Sequence, residues 1–122
     1  MITFDHVHLF CTDLDAMVEF WTKAFKAEFV KYRKFGAADG AVLTLGGVQI
    51  FLKVIPADSP MPDGAARGCN HIGIRCDDPV ALADTIAKDF GGKVVNCVSN
   101  DCVFAAHPDG LVFELMRNGA II

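Results

Sequence analysis

The chain has 122 residues, 52% of them hydrophobic and 21% charged, with a formal net charge of −4. That is the size of one globular domain, long enough to bury a core and too apolar to be disordered or fibrous. No apolar run reaches the ~20 residues of a membrane span, no charged-then-apolar leader opens the chain and no basic cluster offers nucleic acid a footprint; a cytoplasmic protein with neither membrane nor nucleic-acid partners is expected.

Residues 3–12 alternate as a strand, with Val7, Leu9 and Cys11 on one face and Phe4, His6, His8 and Phe10 on the other. Asp13 then caps a helix running to about Lys26, whose buried stripe is Met17, Trp21, Ala24 and Phe25. Phe29-Val30-Lys31-Tyr32 opens a second strand, with Tyr32 directed toward the cavity side. An Asp39-Gly40 turn leads into a third strand, 41–45, and Gly46-Gly47 into a fourth, 48–55.

The stretch 56–68 carries three prolines and two glycines and reads as a linker, with module one at 1–56, linker at 57–67 and module two at 68–122. The pattern then restarts with a strand at 70–76. Asp78-Pro79 supplies an N-cap and a first-turn proline, and the second helix stops at Gly91-Gly92. Strands at 93–98 and 102–106 follow. A tight turn, His107-Pro108-Asp109-Gly110, with His107 toward solvent, precedes a last strand at 111–117. Five cysteines without CxxC spacing argue against a disulfide framework.

Each half is therefore β-α-β-β-β. At an offset of 65, residues 6–30 and 71–95 share His, Cys, Asp, Ala, Lys, Phe and Val at 6, 11, 13, 16, 23, 25 and 30. A duplicated unit is the economical explanation, and it predicts an α+β fold of tandem βαβββ modules.

The repeat also aligns four metal-competent side chains. His6 and His71 are 65 apart, as are Gln49 and Glu114. Alternation puts Gln49, Phe51 and Lys53 opposite the apolar Val48, Ile50 and Leu52. It puts His71, Gly73 and Arg75 opposite Ile72, Ile74 and Cys76, and Glu114 and Met116 opposite Phe113 and Leu115. Two imidazoles, a carboxylate and an amide oxygen suit one divalent ion such as Zn, Ni, Co, Mn or Fe(II). Without Gln49 the set becomes a two-histidine, one-carboxylate triad of the kind used for open-site iron chemistry.

The segments DHVHLFCTDL, GGVQIFLK, NHIGIRCDD and HPDGLVFELM together resemble the vicinal-oxygen-chelate superfamily, which includes glyoxalase I, methylmalonyl-CoA epimerase, fosfomycin-resistance thiol transferases, extradiol dioxygenases and bleomycin-resistance proteins. The resemblance implies tandem βαβββ modules forming a curved sheet around a metal-binding cavity, with His6, Gln49, His71 and Glu114 as metal ligands, Glu114 as catalytic base and a homodimer. Departures narrow it. Phe10 stands where bacterial glyoxalase I has an arginine for glutathione. The second strand has no acid after Glu28, against the epimerase's second base. One short domain fits the extradiol enzymes poorly, and the fosfomycin enzymes have longer C-terminal tails.

The expected function is a metal-dependent lyase or isomerase acting on a small anionic carbonyl compound through a metal-stabilised enediolate or enolate. The alternatives are an Fe(II)/Mn(II) extradiol-type dioxygenase and a non-catalytic drug-binding protein. Lys53 and Arg75 are expected to grip the anion, Phe10, Phe51 and Met116 to wall the pocket, and His8 to serve as reserve base.

Overall fold

A computed structural model describes residues 1, 3–59 and 69–121. Residues 60–67 of the expected linker lie outside that description, while Ser59 N donates to Pro56 O at 2.9 Å where it begins. The chain divides into two compact units, Met1–Met61 and Pro62–Ile122.

Unit one holds β1 (His6–Cys11), α1 (Leu14–Ala24), β2 (Glu28–Phe35), β3 (Ala38–Leu45) and β4 (Val48–Val54). Unit two repeats the order with β5 (Ile72–Cys76), α2 (Pro79–Phe90), β6 (Lys93–Ser99), β7 (Cys102–Ala106) and β8 (Val112–Arg117). Each unit has a four-stranded mixed sheet, ordered β1-β4-β3-β2 and β5-β8-β7-β6. The outer pairs β1–β4 and β5–β8 are parallel and the rest antiparallel. This is the α+β architecture of tandem βαβββ modules that the repeat predicts.

Both helices start where capping chemistry places them. Asp13 accepts from Ala16 N at 3.0 Å, and Asp78 accepts from Ala81 N at 3.1 Å ahead of Pro79. Each cap is worth about 1 kcal/mol. The helices end alike too. Lys26 and Gly91, 65 apart, are both left-handed, at φ 60° and 70°. The following amides, Ala27 N and Gly92 N, donate to Trp21 O and Ile86 O at 3.1 and 3.0 Å.

The core of each unit lies between helix and sheet. In unit one Met17, Phe20 and Trp21 of α1 are buried with Ala41, Leu43, Ile50 and Leu52. In unit two Ala83 and Ile86 are buried with Val103, Ala105, Phe113 and Leu115. Phe20 joins the expected stripe because it is fully covered, whereas Ala24 is only half-buried.

Three local expectations are corrected. The β2–β3 reversal is at Gly36–Ala37, with Gly36 at φ 64°, so Asp39 and Gly40 lie within β3. Tyr32 is on the helix side, where its hydroxyl donates to Asp15 Oδ1 at 3.0 Å. His107 is half-buried in its turn, not solvent-facing: its Nδ1 accepts from Asp109 N at 3.0 Å, and Gly110 N donates to its carbonyl at 2.8 Å.

Candidate functional site

The sheet face opposite the helix carries the candidate ligands in each unit. In unit one the ladder aligns His6, Gln49, Thr44 and Glu28 in one row across β1, β4, β3 and β2. Asp5, just ahead of β1, ties the first two together. Its Oδ2 lies 2.7 Å from His6 Nδ1, and Gln49 Nε2 donates to both its oxygens at 3.3 Å. With Nδ1 so engaged, His6 has Nε2 left to offer a metal. Glu28 shares this face at the far end of the row, three strands from His6.

Unit two repeats the device. Asn70 Oδ1 lies 2.8 Å from His71 Nδ1, and His71 Nε2 is 2.8 Å from Glu114 Oε2. The Glu114 side chain is only 15% exposed, so this pair is less screened than a surface ion pair. Cys102 Sγ donates to the other oxygen, Oε1, at 3.7 Å. Burial first, then the Glu114 charge, raises the Cys102 pKa, which keeps the thiol protonated as a donor. Phe104, opposite Glu114 on β7, sets its ring edge-on to His71 at 5.3 Å.

The two modules differ in register. β1 meets β4 with His6 opposite Gln49, whereas β5 meets β8 with Gly73 opposite Glu114. His71 thus stands two residues ahead of Glu114's ladder partner, and its ring still reaches the carboxylate. Gly73, Glu114's ladder partner, leaves room for Met116, since a Cβ on it would come 3.0 Å from Met116 Cε.

The structure brings His6 beside Gln49 and His71 beside Glu114. Among the described residues no three His, Cys, Asp or Glu side chains form a metal-holding group within either module. The donors nonetheless fit a borderline divalent ion, since both histidines have Nδ1 engaged by a neighbouring side-chain oxygen and Nε2 directed away from it. Two surface clefts, of about 470 Å³ beside Asp15 and Tyr32 and about 690 Å³ beside Lys93 and His107, include none of the four.

Around the unit-one pair the face is aromatic. His6 stacks on Phe51 at 4.0 Å between centroids, and His8 lies 4.5 Å from Phe35 and 5.7 Å from Phe51. Desolvation, then the charges of His6, Lys53 and Arg33, lower the His8 pKa and favour its neutral, proton-accepting form. Phe10 is half-exposed on the same strand, and Met116 is half-buried on β8. Lys53 is half-buried, whereas Arg75 Nη1 donates to the carbonyls of Arg117 and Ala120, both at 2.8 Å.

Asp5, Asn70, Phe35, Arg33 and Cys102 are the residues that sequence reading missed. The Asp5–Asn70 pair carried a usable signal, because both precede a repeated histidine at the same offset of 65.

The family model of the glyoxalase/bleomycin resistance protein/dioxygenase superfamily matches residues 3–115. No curated protein compared with the chain gives a significant match. Among solved structures, the fosfomycin resistance protein FosX of Mesorhizobium loti aligns with TM-score 0.72 at 20% identity, covering 99% of this chain and 95% of its own. FosX of Listeria monocytogenes, complexed with Mn(II) and sulfate, gives 0.73 at 20%, with 97% and 94% covered. The trypanothione-dependent glyoxalase I of Leishmania major gives 0.73 at 16%, with 92% and 84% covered.

Proposed function

The chain belongs to the glyoxalase/bleomycin resistance protein/dioxygenase superfamily, and from that premise we propose that it is a metal-dependent lyase or isomerase acting on a small anionic carbonyl compound. His6, Gln49, His71 and Glu114 would hold one divalent metal ion. A metal there supplies Lewis acidity to negative charge building on the substrate's oxygens.

The observation that supports this most is the repeated anchor. Asp5 and Asn70 engage Nδ1 of His6 and His71, so that Nε2 of His6 is left to offer a metal and Nε2 of His71 faces Glu114 Oε2, the other candidate ligand of its unit.

Glu114 is the base in this reading. Its Oε2 takes the proton from the carbon beside the carbonyl, while the Cys102 thiol steadies Oε1. His8, held neutral, is the reserve acceptor. Lys53 stays as an anion contact, and Arg75, clamped onto two carbonyls, leaves that role. The protein works as a homodimer, which sedimentation would check.

Elemental analysis of untagged protein beside a His71→Ala variant tests the site. About one transition metal per chain in the wild type, lost in the variant, is expected. Iron with O₂ uptake on a catechol would move the reading to an oxygenase. Wild type and variant both empty after incubation with excess metal would remove the enzyme reading and leave a ligand-binding protein.

A further inference from the structure

The face of unit one pairs Lys53, the anion contact named above, with a second cation, Arg33, that the proposed chemistry does not use. One ladder row runs Arg33, Gly40, Lys53 and Phe10 across β2, β3, β4 and β1. Gly40 puts no side chain between the two charges. The Phe35 ring fills that space, since a Cβ on Gly40 would come within 2.4 Å of Phe35 Cδ2. The Arg33 guanidinium lies 4.3 Å over the same ring. From Phe35 an aromatic path leads to Phe51 at 5.5 Å, and from Phe51 to His6 at 4.0 Å.

Neither cation is in an ion pair among the described residues, whereas Lys23, Lys34, Lys88 and Arg117 each are. Facing strands in a ladder are ~4.8 Å apart, so Arg33 and Lys53 straddle Gly40 at roughly 10 Å between Cα atoms. Long side chains converge easily over that gap. The Phe35 ring beneath Arg33 keeps water from one side of the guanidinium and strengthens its pull on an anion.

We propose that Arg33 and Lys53 bind the carboxylate of the substrate, and that a flat, aromatic or unsaturated body extends from it along Phe35 and Phe51 toward Gln49 and His6. Lys53 is four residues beyond Gln49, roughly 13 Å along the strand. A two- or three-carbon compound cannot touch both ends. The substrate class is an aryl-type carboxylic acid with its reacting oxygens at the far end from the carboxylate. Only that far end rests on the function proposed above, because the anion end lies wholly within unit one.

The test uses the full chain in EDTA, with 3-phenylpropionate, its neutral amide and propionate as probes, read by amide chemical shifts and calorimetry. 3-Phenylpropionate should shift the amides of Arg33, Gly40 and Lys53. It should bind at least tenfold tighter than either the amide or propionate, and weaken with added salt. Arg33→Gln/Lys53→Gln should lose that tenfold while amide binding stays constant, and Arg75→Gln should bind like wild type. Thermal melts confirm that each variant is folded.

Equal affinity for the charged and neutral probes would overturn the proposal. So would no binding at millimolar probe, or no change in the double variant. The metal titration is independent: charge-selective binding with no metal uptake would sink the enzyme reading and keep the anion site, and the converse would do the opposite.

Discussion

Removing the side chains that orient the two histidines tests the proposed centre without touching a ligand. Asn70 makes one such contact, 2.8 Å to His71 Nδ1. Asp5 makes contacts to two candidate ligands, 2.7 Å to His6 and 3.3 Å to Gln49, and its carboxylate is charged. Outer-shell partners of metal ligands typically contribute 10–100-fold in affinity. Asn70→Ala should therefore weaken metal binding about tenfold, or about 1.4 kcal/mol, and Asp5→Ala nearer 100-fold. Asp5→Asn, which keeps an acceptor and loses the charge, should fall between. Both positions are exposed, so metal-free stability should move by less than about 0.5 kcal/mol. Competition titration against a chromogenic chelator measures the affinities, with urea melts of the metal-free chains as control. Affinities within twofold of wild type for both alanine variants, or Asn70→Ala weaker than Asp5→Ala, would refute the reasoning.

Three further outcomes concern the scaffold. Lys26 pays a left-handed strain that Gly91 avoids at the matching helix end, so Lys26→Gly should stabilise and Gly91→Lys destabilise, each by about 1 kcal/mol in denaturant unfolding; shifts of the same sign would contradict this. Gly92→Ala would set a Cβ 2.3 Å from Ala106 O and 2.8 Å from Ile86 Cγ2, costing about 1–3 kcal/mol, and an unchanged urea midpoint would show that the strand yields. Burial lowers the His107 pKa, against a smaller opposing effect of Asp109, so the unfolded chain binds the proton more readily. Its contribution to stability is thus complete above the unfolded value and is lost as pH falls below about 6.5 through the folded value. His107→Gln should flatten the decline in melting temperature from pH 7 to 5, and parallel profiles would rule that cause out.

Much of the scaffold was legible because its signals were local. Alternation sorted Ile50 and Leu52 from Gln49 and Phe51, and Phe113 and Leu115 from Glu114, because a strand facing a helix must bury every second residue. Asp13 and Asp78 named their helices by capping. The segment Phe35 to Gly40 misled because it holds two turn-like glycines. Gly36 takes the positive φ, and Gly40 is needed for the room it leaves Phe35, which no local pattern encodes. Parity along β2 failed because the ladder slips between Phe29 and Lys31. That slip sends Tyr32 to the helix side and Arg33 to the other face, so the cation row was invisible until the register was known. The candidate ligands stood out because they repeat. Cys102 did not, because its contact with Glu114 joins different strands and has no twin in unit one.

The two halves have kept their scaffold and anchors while diverging on the opposite face. At the same offset His8 and Phe10 become Gly73 and Arg75, and Gln49 and Phe51 become Glu114 and Met116. Unit one is left with rings and cations, and unit two with a carboxylate gripped by His71 on one oxygen and a thiol on the other. In the proposed reading this separates holding the substrate from moving its proton. Arg33→Gln should then raise KM about tenfold with little change in kcat, since a remote charge grips ground and transition states alike. Cys102→Ala should lower kcat several-fold at nearly constant KM, with Cys102→Ser, which retains a donor, closer to wild type. Steady-state kinetics on an aryl carboxylate substrate decides it. If Cys102→Ala raised KM and Arg33→Gln lowered kcat, the division between the halves would be wrong even with both proposed sites intact.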